Sequence, residues 1–501
     1  MRLRSIESGL AIAGPVLIAI GAVLSRFAES ATTVESLSRP VVVSAGVAVG
    51  LYLLANLAVR NRAWATILSS GLVLFTFRFV LPAFAILAFS MWWLVIRELR
   101  RRQQKAVPSP VLPGFIARGI GVFGAAFLVL MASAAVGVAV GVPRMSVPEY
   151  PVQGDGGPNI YMIMLDGYPR DDTLLETFGV DNSGFLNDLQ RLGLDLSSSA
   201  RGNYNKTWPA FAAMFNGTYA HEMLPDGDVP SQPSDQLRWL HRLIREGAML
   251  EVLGERGYAT RAITSPFQST ALSTADDVRS GGFLNEFEAN LIASSSWTYF
   301  LRDPVTSLLR SNQRNQVEFA LLETAAIAEQ RGSQPQFVFA HVHSPHTPFV
   351  LPAGDQDPNS PECFPRSCSF WNVTIEELAI DFDSYRTALV PQIRDLNRQV
   401  VEAVTRISTA DPTAVVVVMS DHGARYSLAD IPEHYRTLLA ARTPKFPNLF
   451  SDSESPVNIL RVIFEAYFDL NTPALPYEAW ASEWRSYLPL RQLELTEEGE
   501  P

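Results

Sequence analysis

AVVVVMSDHG, residues 414–423, is the stretch that decides the fold predicted for this chain. Its four consecutive valines are typical of a parallel β-strand that is covered on both faces. The polar residues Asp421 and His422 follow that strand directly, so a carboxylate and an imidazole stand at its carboxyl end. In open α/β sheets, ligands bind beyond the carboxyl ends of the strands.

Other apolar runs of strand length alternate with helical patterns after residue 158, and they predict an α/β sandwich. The run 160–165 is followed by Asp166-Gly167, and the run 337–342 is followed by His343 and His346. A further strand is predicted at 259–264. A single Asp-Gly pair is usually only a turn, but several polar strand ends at one sheet edge favour a functional site.

The residue types at these strand ends suit one divalent cation. Asp166, Asp421 and His422 offer two carboxylates and an imidazole, and Thr207 could add a hydroxyl oxygen. This mixture of oxygen and nitrogen ligands fits Zn or Mn better than Ca or Mg. A bound cation lowers the pKa of an oxygen acid, for water from 15.7 to about 7, and so can turn a threonine hydroxyl into a nucleophile.

The stretch GNYNKTWPAF, residues 202–211, contains that threonine. Proline is favoured just inside a helix start, so Pro209 places Thr207 at or just before the beginning of a helix. The free N–H groups and the positive end of the helix dipole attract an anion there. Thr207 is therefore interpreted either as a nucleophile or, alternatively, as an N-cap alone.

His343 and His346 follow a strand next to the predicted cation site. They could bind the oxygens of a tetrahedral anion or protonate a leaving group. The alternative is that both are loop histidines without a role. Cys363 and Cys368, the only cysteines, share the loop that comes next. Outside the cytoplasm a local disulfide is expected for them, because no nearby pair of ligands completes a metal site.

The first part of the chain has the composition of a membrane domain. A membrane-spanning helix needs roughly 20 mostly apolar residues. Five spans are predicted, with Arg78 in a turn between the third and the fourth; a single longer, kinked element in place of that pair would leave four. The apolar runs lie near 9–25, 40–59, 63–77, 79–96 and 119–141.

Charge separates the two parts of the chain. Residues 1–144 carry 14 basic and 4 acidic side chains, a net charge of +10. The remainder carries 26 basic and 47 acidic side chains, a net charge of −21. The acidic remainder argues against nucleic acid as a partner. Five spans would put the basic clusters on the cytoplasmic side, with everything after the last span outside. The first run lacks a cleavage site and is interpreted as a retained anchor.

The motifs together resemble the alkaline-phosphatase/sulfatase superfamily, and most of all its membrane-anchored branch of lipoteichoic-acid synthases and phosphoethanolamine transferases. The resemblance is carried by the segments 159–167, 203–209, 346–349, 420–423, His434, and 455–458 with Arg461. It implies that Asp166, Asp421 and His422 bind the metal and that Thr207 carries a phosphothreonine intermediate. It also implies that His346 lies near the substrate phosphate and that His434 is a further site histidine.

Two departures from the superfamily narrow the expected chemistry. Sulfatases mature a Cys or Ser within Cys/Ser-x-Pro-x-Arg to formylglycine, whereas this chain has Thr207 and, in the Arg position, Phe211. Sulfatase chemistry in its usual form is therefore not expected. The first strand ends in one acid, Asp166, followed by Gly167, which favours one tightly held metal over a two-metal site.

These observations predict a multi-span α-helical membrane domain (1–142), a Pro- and Gly-rich linker (143–158) and an extracytoplasmic catalytic domain (159–501) of the alkaline-phosphatase/sulfatase type. The expected enzyme lies in the plasma (inner) membrane. It moves a phosphoglycerol or phosphoethanolamine type of headgroup from a lipid donor, through Thr207, to an envelope glycan or lipid. The alternatives are a phosphodiesterase or sulfuric-ester hydrolase on the same site, and a catalytically silent scaffold.

Overall fold

The computed structural model describes residues 2–103, 111–225, 229–351, 382–427, 431–483 and 486–495. Cys363 and Cys368 lie outside these residues, and so does the disulfide expected between them. The chain forms two compact units: residues 1–141 with 286–305, and residues 142–285 with 306–501. The sequence predicts an uninterrupted catalytic domain from 159 to 501, whereas the segment 286–305 clusters with the N-terminal helices.

The described part of the N-terminal unit contains five long helices at the positions of the five apolar runs. They are α1 (Arg2–Glu29), α2 (Ser38–Val59), α3 (Arg62–Thr76), α4 (Val80–Arg102) and α5 (Val111–Val140). Arg78, with a positive φ of 62°, lies in the turn between α3 and α4, so these are two helices and not one kinked element. In the described residues, three segments are long and apolar enough to cross a membrane: Val34–Val59, Val80–Arg100 and Val111–Val140.

Glycines allow α1 and α5 to pack closely. A Cβ atom at Gly124 would lie 3.1 Å from the Gly14 carbonyl oxygen, and one at Gly21 would lie 2.6 Å from Phe127. Small residues at helix contacts are common in membrane proteins, because they let the backbones approach. Since Gly14 lies near Gly124 and Gly21 near Phe127, the two helices run in the same direction.

The second unit is built on a seven-stranded mixed sheet with the strand order β2-β7-β6-β1-β5-β3-β4. Strands β1, β3, β4, β5 and β6 run parallel to one another, whereas β7 is antiparallel to both β6 and β2. A separate hairpin consists of β8 and β9. The strands are β1 (Ile160–Leu165), β2 (Asp195–Leu196), β3 (Ala259–Ile263), β4 (Asp277–Arg279), β5 (Gln336–Val342), β6 (Val415–Ser420), β7 (Leu439–Arg442), β8 (Ala479–Ser482) and β9 (Leu490–Leu493).

Helices cover both faces of this sheet, as the sequence predicts for a doubly covered parallel sheet. They are α6 (Asp171–Glu176), α7 (Ser183–Arg191), α8 (Thr207–Asn216), α9 (Ala220–Met223), α10 (Pro233–Arg245), α11 (Ala248–Glu255), α13 (Arg302–Glu329), α14 (Phe382–Ala410) and α15 (Ile459–Phe468), while α12 (Glu286–Ala293) belongs to the N-terminal unit. Every residue of β1, β5 and β6 is buried, so these strands form the centre of the core.

Helix α8, which begins at Thr207, lies within the core, and all ten of its residues are buried. Phe211 and Phe215 pack edge-on against Phe339 of β5, with ring centroids 5.4 and 5.0 Å apart. The helix ends at Gly217, which adopts a positive φ of 61°, and Arg461 Nη1 donates to the Gly217 carbonyl at 2.6 Å. The predicted helix from Thr207 toward Gly217 is therefore present, and its start is fixed in the core.

The segment 143–158, expected to be a linker, has no helix or strand but is packed along the second unit. Met145, Val147, Tyr150 and Val152 contact its hydrophobic core. Tyr150 Oη donates to the Asn216 carbonyl at 2.9 Å. The segment is therefore packed on the second unit and is not a flexible linker. Its apolar side chains are close enough together to anchor it without regular secondary structure.

Candidate functional site

The strand register brings the predicted site residues to one sheet edge. Leu165, the last residue of β1, pairs with Ser420 of β6 on one side and with Val342 of β5 on the other. The residues that follow these three strands therefore emerge side by side. They include Asp166 after β1 and Asp421 after β6.

Asp166, Asp421 and His422 form a buried cluster in which one ligand atom from each lies within 4.8 Å of the others. His422 Nε2 is 3.6 Å from Asp166 Oδ1 and 3.5 Å from Asp421 Oδ2. Within the described residues, neither Asp166 oxygen nor Asp421 Oδ2 has a hydrogen-bond partner. Buried carboxylates left this way are costly unless a cation neutralises them, so the cluster fits a divalent cation.

The tautomer of His422 agrees with that fit. Its Nδ1 lies 2.8 Å from the Gly423 carbonyl oxygen, which can only accept a hydrogen bond, so Nδ1 carries the proton. In the neutral ring, Nε2 then presents a lone pair toward the two carboxylates. Metal-binding histidines are commonly oriented by such a bond from the other ring nitrogen.

Thr207 is the first residue of α8, and the preceding Lys206 occupies the N-cap position. The interpretation of Thr207 as an N-cap alone is therefore wrong, because the N-cap is the preceding residue. Its Oγ1 lies 3.4 Å from His422 Nε2, and the residue is 4% exposed. The hydroxyl that the sequence singles out thus contacts the candidate cation cluster at a helix N-terminus.

The loop before Thr207 is held by residues from the end of the chain. Asn205 Oδ1 accepts from Ser482 N at 3.1 Å. The fully buried Lys206 donates from Nζ to the carbonyls of Glu483 and Ser486, at 2.7 and 2.6 Å. Because these partners are about 280 residues apart in sequence, no local pattern could have assigned Lys206 this anchoring role.

Two glycines make the close approach of the strand ends possible. Gly167 has a positive φ of 67°, and Gly167 N donates to Asp421 Oδ1 at 3.0 Å. A Cβ atom at Gly423 would lie 1.9 Å from the Glu433 carbonyl oxygen and 2.8 Å from that of Arg436. The Gly that follows the Asp-His pair is therefore required by backbone packing.

We expect Gly423→Ala to destabilise the protein by about 2 kcal/mol or more, because its methyl group has to displace backbone and not a flexible side chain. The measurement is the apparent unfolding temperature together with bound cation. The matched control is Gly254→Ala in α11, where an added Cβ has nothing within 4 Å. That change should be neutral or stabilise by up to about 1 kcal/mol. Equal unfolding temperatures for the two variants would contradict the prediction.

The structure places His343 and His346 beside the cluster in different settings. His343 is 1% exposed, and its Nδ1 accepts from Gln313 Nε2 at 2.7 Å, so its Nε2–H faces Asp166 Oδ2 at 3.8 Å. His346 is only partly buried, and its Nδ1 donates to the Thr347 carbonyl at 2.6 Å. Burial lowers the pKa of both imidazoles, so both are neutral near pH 7.

His434 lies in the short helical turn Pro432–Tyr435 and is buried. Its backbone carbonyl accepts from Gly423 N at 2.7 Å, so the turn supports the segment that carries His422. Burial, with help from the charge of Arg425 and from His422, lowers the pKa of His434 to about 3. Its Nε2 has no hydrogen-bond partner among the described residues.

His341 is a residue of this site that the sequence analysis missed. Its Nε2 lies 3.4 Å from Asp166 Oδ2, and the residue is 2% exposed. Burial alone would raise the pKa of Asp166, but His346, His341 and His343 together hold it below its ordinary value. The available signal was the spacing of His341 and His343, because alternate residues of a strand lie on one face.

We expect His341→Phe to weaken cation binding by about 10- to 100-fold, because partners that orient a metal ligand act on this scale. Phenylalanine keeps the edge-on ring contact with Phe211, whose centroid is 4.8 Å away. It removes Nε2, which faces Asp166, and Nδ1, which lies 3.2 Å from Thr270 Oγ1. A competition titration with Zn measures the affinity. The control is His221→Phe, since the His221 ring packs against Trp480 instead, with ring centroids 3.9 Å apart. Unchanged affinity in His341→Phe would show that Asp166 needs no such support.

Comparison with known proteins gives one family match and several distant structural similarities. A family model described as Sulfatase matches residues 158–444. Among curated proteins, none matches the chain. The C-terminal periplasmic domain of EcEptC from Escherichia coli is 13% identical, with a TM-score of 0.43 over 70% of this chain and 96% of that one. Its complex with Zn is 11% identical over the same shares, also with a TM-score of 0.43.

A further solved structure is the soluble domain of lipooligosaccharide phosphoethanolamine transferase A from Neisseria meningitidis. It is 11% identical, with a TM-score of 0.39, and the similarity covers 65% of this chain and 94% of that one. The range matched by the family model contains every residue of the cluster described above, and Thr207 with it.

Proposed function

Because this chain belongs to the sulfatase family, we propose that it is a metal-dependent enzyme that transfers a phospho-headgroup from a lipid donor through a covalent intermediate on Thr207. One observation carries the proposal. The Thr207 hydroxyl lies at the N-terminus of a buried helix, 3.4 Å from His422 Nε2, beside carboxylates that have no hydrogen-bond partner among the described residues. This is an arrangement for a nucleophile, a cation and an anionic substrate.

Asp166, Asp421 and His422 would hold the cation, and the imidazole among them favours Zn or Mn over Ca or Mg. When bound, the cation supplies positive charge that lowers the pKa of a nearby hydroxyl and offsets charge on phosphoryl oxygens. The first-turn N–H groups of α8 lack acceptors within the helix and can bind the same oxygens.

In the proposed transfer, Thr207 Oγ1 forms a bond to phosphorus while the bond from phosphorus to the lipid alcohol breaks. The hydroxyl proton leaves Thr207, and the departing alcohol gains one. His346 suits this proton traffic, because it is neutral, only partly buried and already uses Nδ1 as a donor, which leaves Nε2 as an acceptor. His343 is more enclosed, and its Nε2–H is directed at Asp166, which favours a positioning role.

A second half-reaction would return the enzyme to its starting state. A hydroxyl of an envelope glycan or lipid attacks the phosphorus and loses its proton while the bond from phosphorus to Thr207 Oγ1 breaks. Oγ1 regains a proton, and the headgroup leaves on the acceptor. Water in place of that acceptor would make the enzyme a phosphodiesterase on the same site. A sulfuric-ester hydrolase is disfavoured, because Thr207 cannot mature to formylglycine. In addition, the position of the arginine in the sulfatase motif is occupied by Phe211, which is fully buried against Phe339 and His341.

The helices support a lipid donor and a membrane location. Three segments have the length and composition of membrane spans, and α1 runs parallel to α5. This geometry suits five crossings, with the clusters at 60–62 and 97–105 in the cytoplasm and the catalytic part outside the plasma membrane. A site on that side of the membrane could meet both a phospholipid and an envelope acceptor.

The test is mass spectrometry of the full chain in lipid nanodiscs of mixed phospholipids, supplied with Zn or Mn. We expect a phosphoglycerol or phosphoethanolamine adduct that maps to Thr207 and disappears when an acceptor glycan is added. Free headgroup without dependence on acceptor would instead favour the phosphodiesterase. A chain that binds no cation and forms neither adduct nor product would be the silent scaffold.

A further inference from the structure

Residues 286–305 do not belong to the sheet-bearing unit, although they lie inside the range that the family model matches. The chain leaves that unit after 285, packs with the N-terminal helices, and returns at 306. Phe287 is 1% exposed and joins a cluster with Val23, Phe27 and Ala135. The rings of Phe27 and Phe287 meet edge-on, with centroids 6.0 Å apart. The segment is therefore part of the helical unit and not a surface loop.

An ion pair reinforces this attachment. Arg39, at the start of α2, donates from Nε and Nη2 to both carboxylate oxygens of Glu288. Glu288 is 7% exposed, and a buried carboxylate held by a two-pronged guanidinium contact has a defined position. The pair fixes α12 at the end of the bundle where α2 begins.

The next turn, Ser296–Tyr299, is fixed at the end of α3. Trp297 Nε1 donates to Thr76 Oγ1 at 3.0 Å, and its ring packs edge-on against Phe75 at 5.6 Å. The guanidinium of Arg78 lies 5.2 Å from the centre of the Tyr299 ring. Thr76 is the last residue of α3, so these aromatic side chains lie at the level where that helix ends.

Aromatic and apolar side chains of this turn nevertheless face outward. Trp297, Tyr299, Phe300 and Leu301 are 38%, 69%, 71% and 48% exposed, and residues 296–301 contain no charged side chain. We call these four side chains the aromatic surface. At the same end of the bundle, Leu81 in the first turn of α4 is 85% exposed. Exposed apolar side chains on a candidate span are expected to face lipid.

We propose that the aromatic surface inserts into the headgroup layer of the lipid bilayer on the side that bears the catalytic part of the chain. Trp and Tyr are enriched at this depth because their rings are apolar and their N–H and O–H groups remain hydrated. The occupant is lipid and not a second copy of the chain, because the surface contacts Thr76 and Arg78, which directly precede the exposed apolar start of α4. The insertion gives the catalytic part a second membrane attachment besides residue 142, and it does not depend on the reaction proposed above.

Spin-label accessibility of the full chain in nanodiscs tests this placement. A nitroxide is attached at Phe300→Cys after replacing Cys363 and Cys368 by Ser. The matched control is Leu322→Cys on α13 of the other unit, where the leucine is 53% exposed. We expect oxygen, which partitions into lipid, to collide with the label at 300 several-fold more often, relative to a water-soluble nickel reagent, than with the label at 322.

Equal collision ratios at the two positions would overturn the proposal. Protection from both reagents together with spin–spin broadening would also overturn it, because a second copy of the chain would then cover the surface. Phe300 is largely exposed, so its replacement should not disturb folding; Tyr299→Cys, at 69% exposure, provides a second labelled position with the same expected ratio.

Discussion

Thr207→Ala is expected to abolish headgroup transfer, with a loss of about four orders of magnitude or more, as removal of a nucleophile does in other covalent enzymes. The adduct detected by mass spectrometry should vanish with it. The reason is local, since Thr207 Oγ1 lies 3.4 Å from His422 Nε2, beside the cation cluster. Turnover by the purified full chain in nanodiscs and the mass of the isolated protein are the two measurements.

Thr207→Ser is the matched control for that variant. Serine keeps the hydroxyl at the first position of α8 and loses only a methyl group, so a measurable adduct on residue 207 is expected. Bound cation should remain in both variants, since the carboxylates and His422 are intact. Normal turnover in Thr207→Ala would rule out the covalent mechanism while leaving the cation site in place.

Asp421→Asn is expected to empty the cation site, and activity should be lost with the cation. In the parent protein Gly167 N donates to Asp421 Oδ1 at 3.0 Å, and the carboxamide oxygen of asparagine can still accept this hydrogen bond. The change therefore removes the negative charge and the second oxygen but keeps the contact between the two strand ends. Metal analysis should fall from one cation per chain to almost none at a free Zn concentration that saturates the parent protein.

A chelator provides the thermodynamic counterpart of that result. A ligand that binds only the folded state at 1,000 times its Kd stabilises it by about 4.1 kcal/mol. Chelation should therefore lower the unfolding temperature of the parent protein and leave that of Asp421→Asn unchanged. Asp411→Asn is the control, because Asp411 is also buried but pairs with Asn159 and Thr413. It should lose stability and keep the cation, and loss of the cation there would make the effect of Asp421→Asn nonspecific.

The parts of the fold that were predicted correctly are those with a strong local pattern. The apolar runs at 160–165 and 414–419 match β1 and β6 within one residue, because a doubly covered strand has to be apolar throughout. The antiparallel strands β2, at the edge of the sheet, and β7, between β2 and β6, were not predicted. They are short, and β2 is partly exposed, so neither requires a continuous apolar run that a sequence would reveal.

The candidate site divides in the same way. Asp166 and Asp421 could be predicted as site residues because each directly follows a strongly apolar strand. The carboxyl ends of neighbouring parallel strands lie at the same edge of the sheet. His341 was missed because it lies within a buried strand, where a histidine looks like part of the core until its distance to Asp166 is known. Lys206 was left without a role because its partners, the carbonyls of Glu483 and Ser486, carry no side-chain signature.

The return of residues 286–305 to the N-terminal helices has a consequence for biosynthesis. Arg39 and Glu288 are 249 residues apart in sequence, so the helices are made long before the segment that completes their packing. At a synthesis rate of about 5–20 residues per second, the interval is on the order of ten seconds or more. During that time Val23, Phe27 and Arg39 lack their final partners, and lipid or the insertion machinery has to cover them. A fragment that begins after residue 142 would carry the opposite defect, because Phe287 and Glu288 would reach water without the helices that bury them.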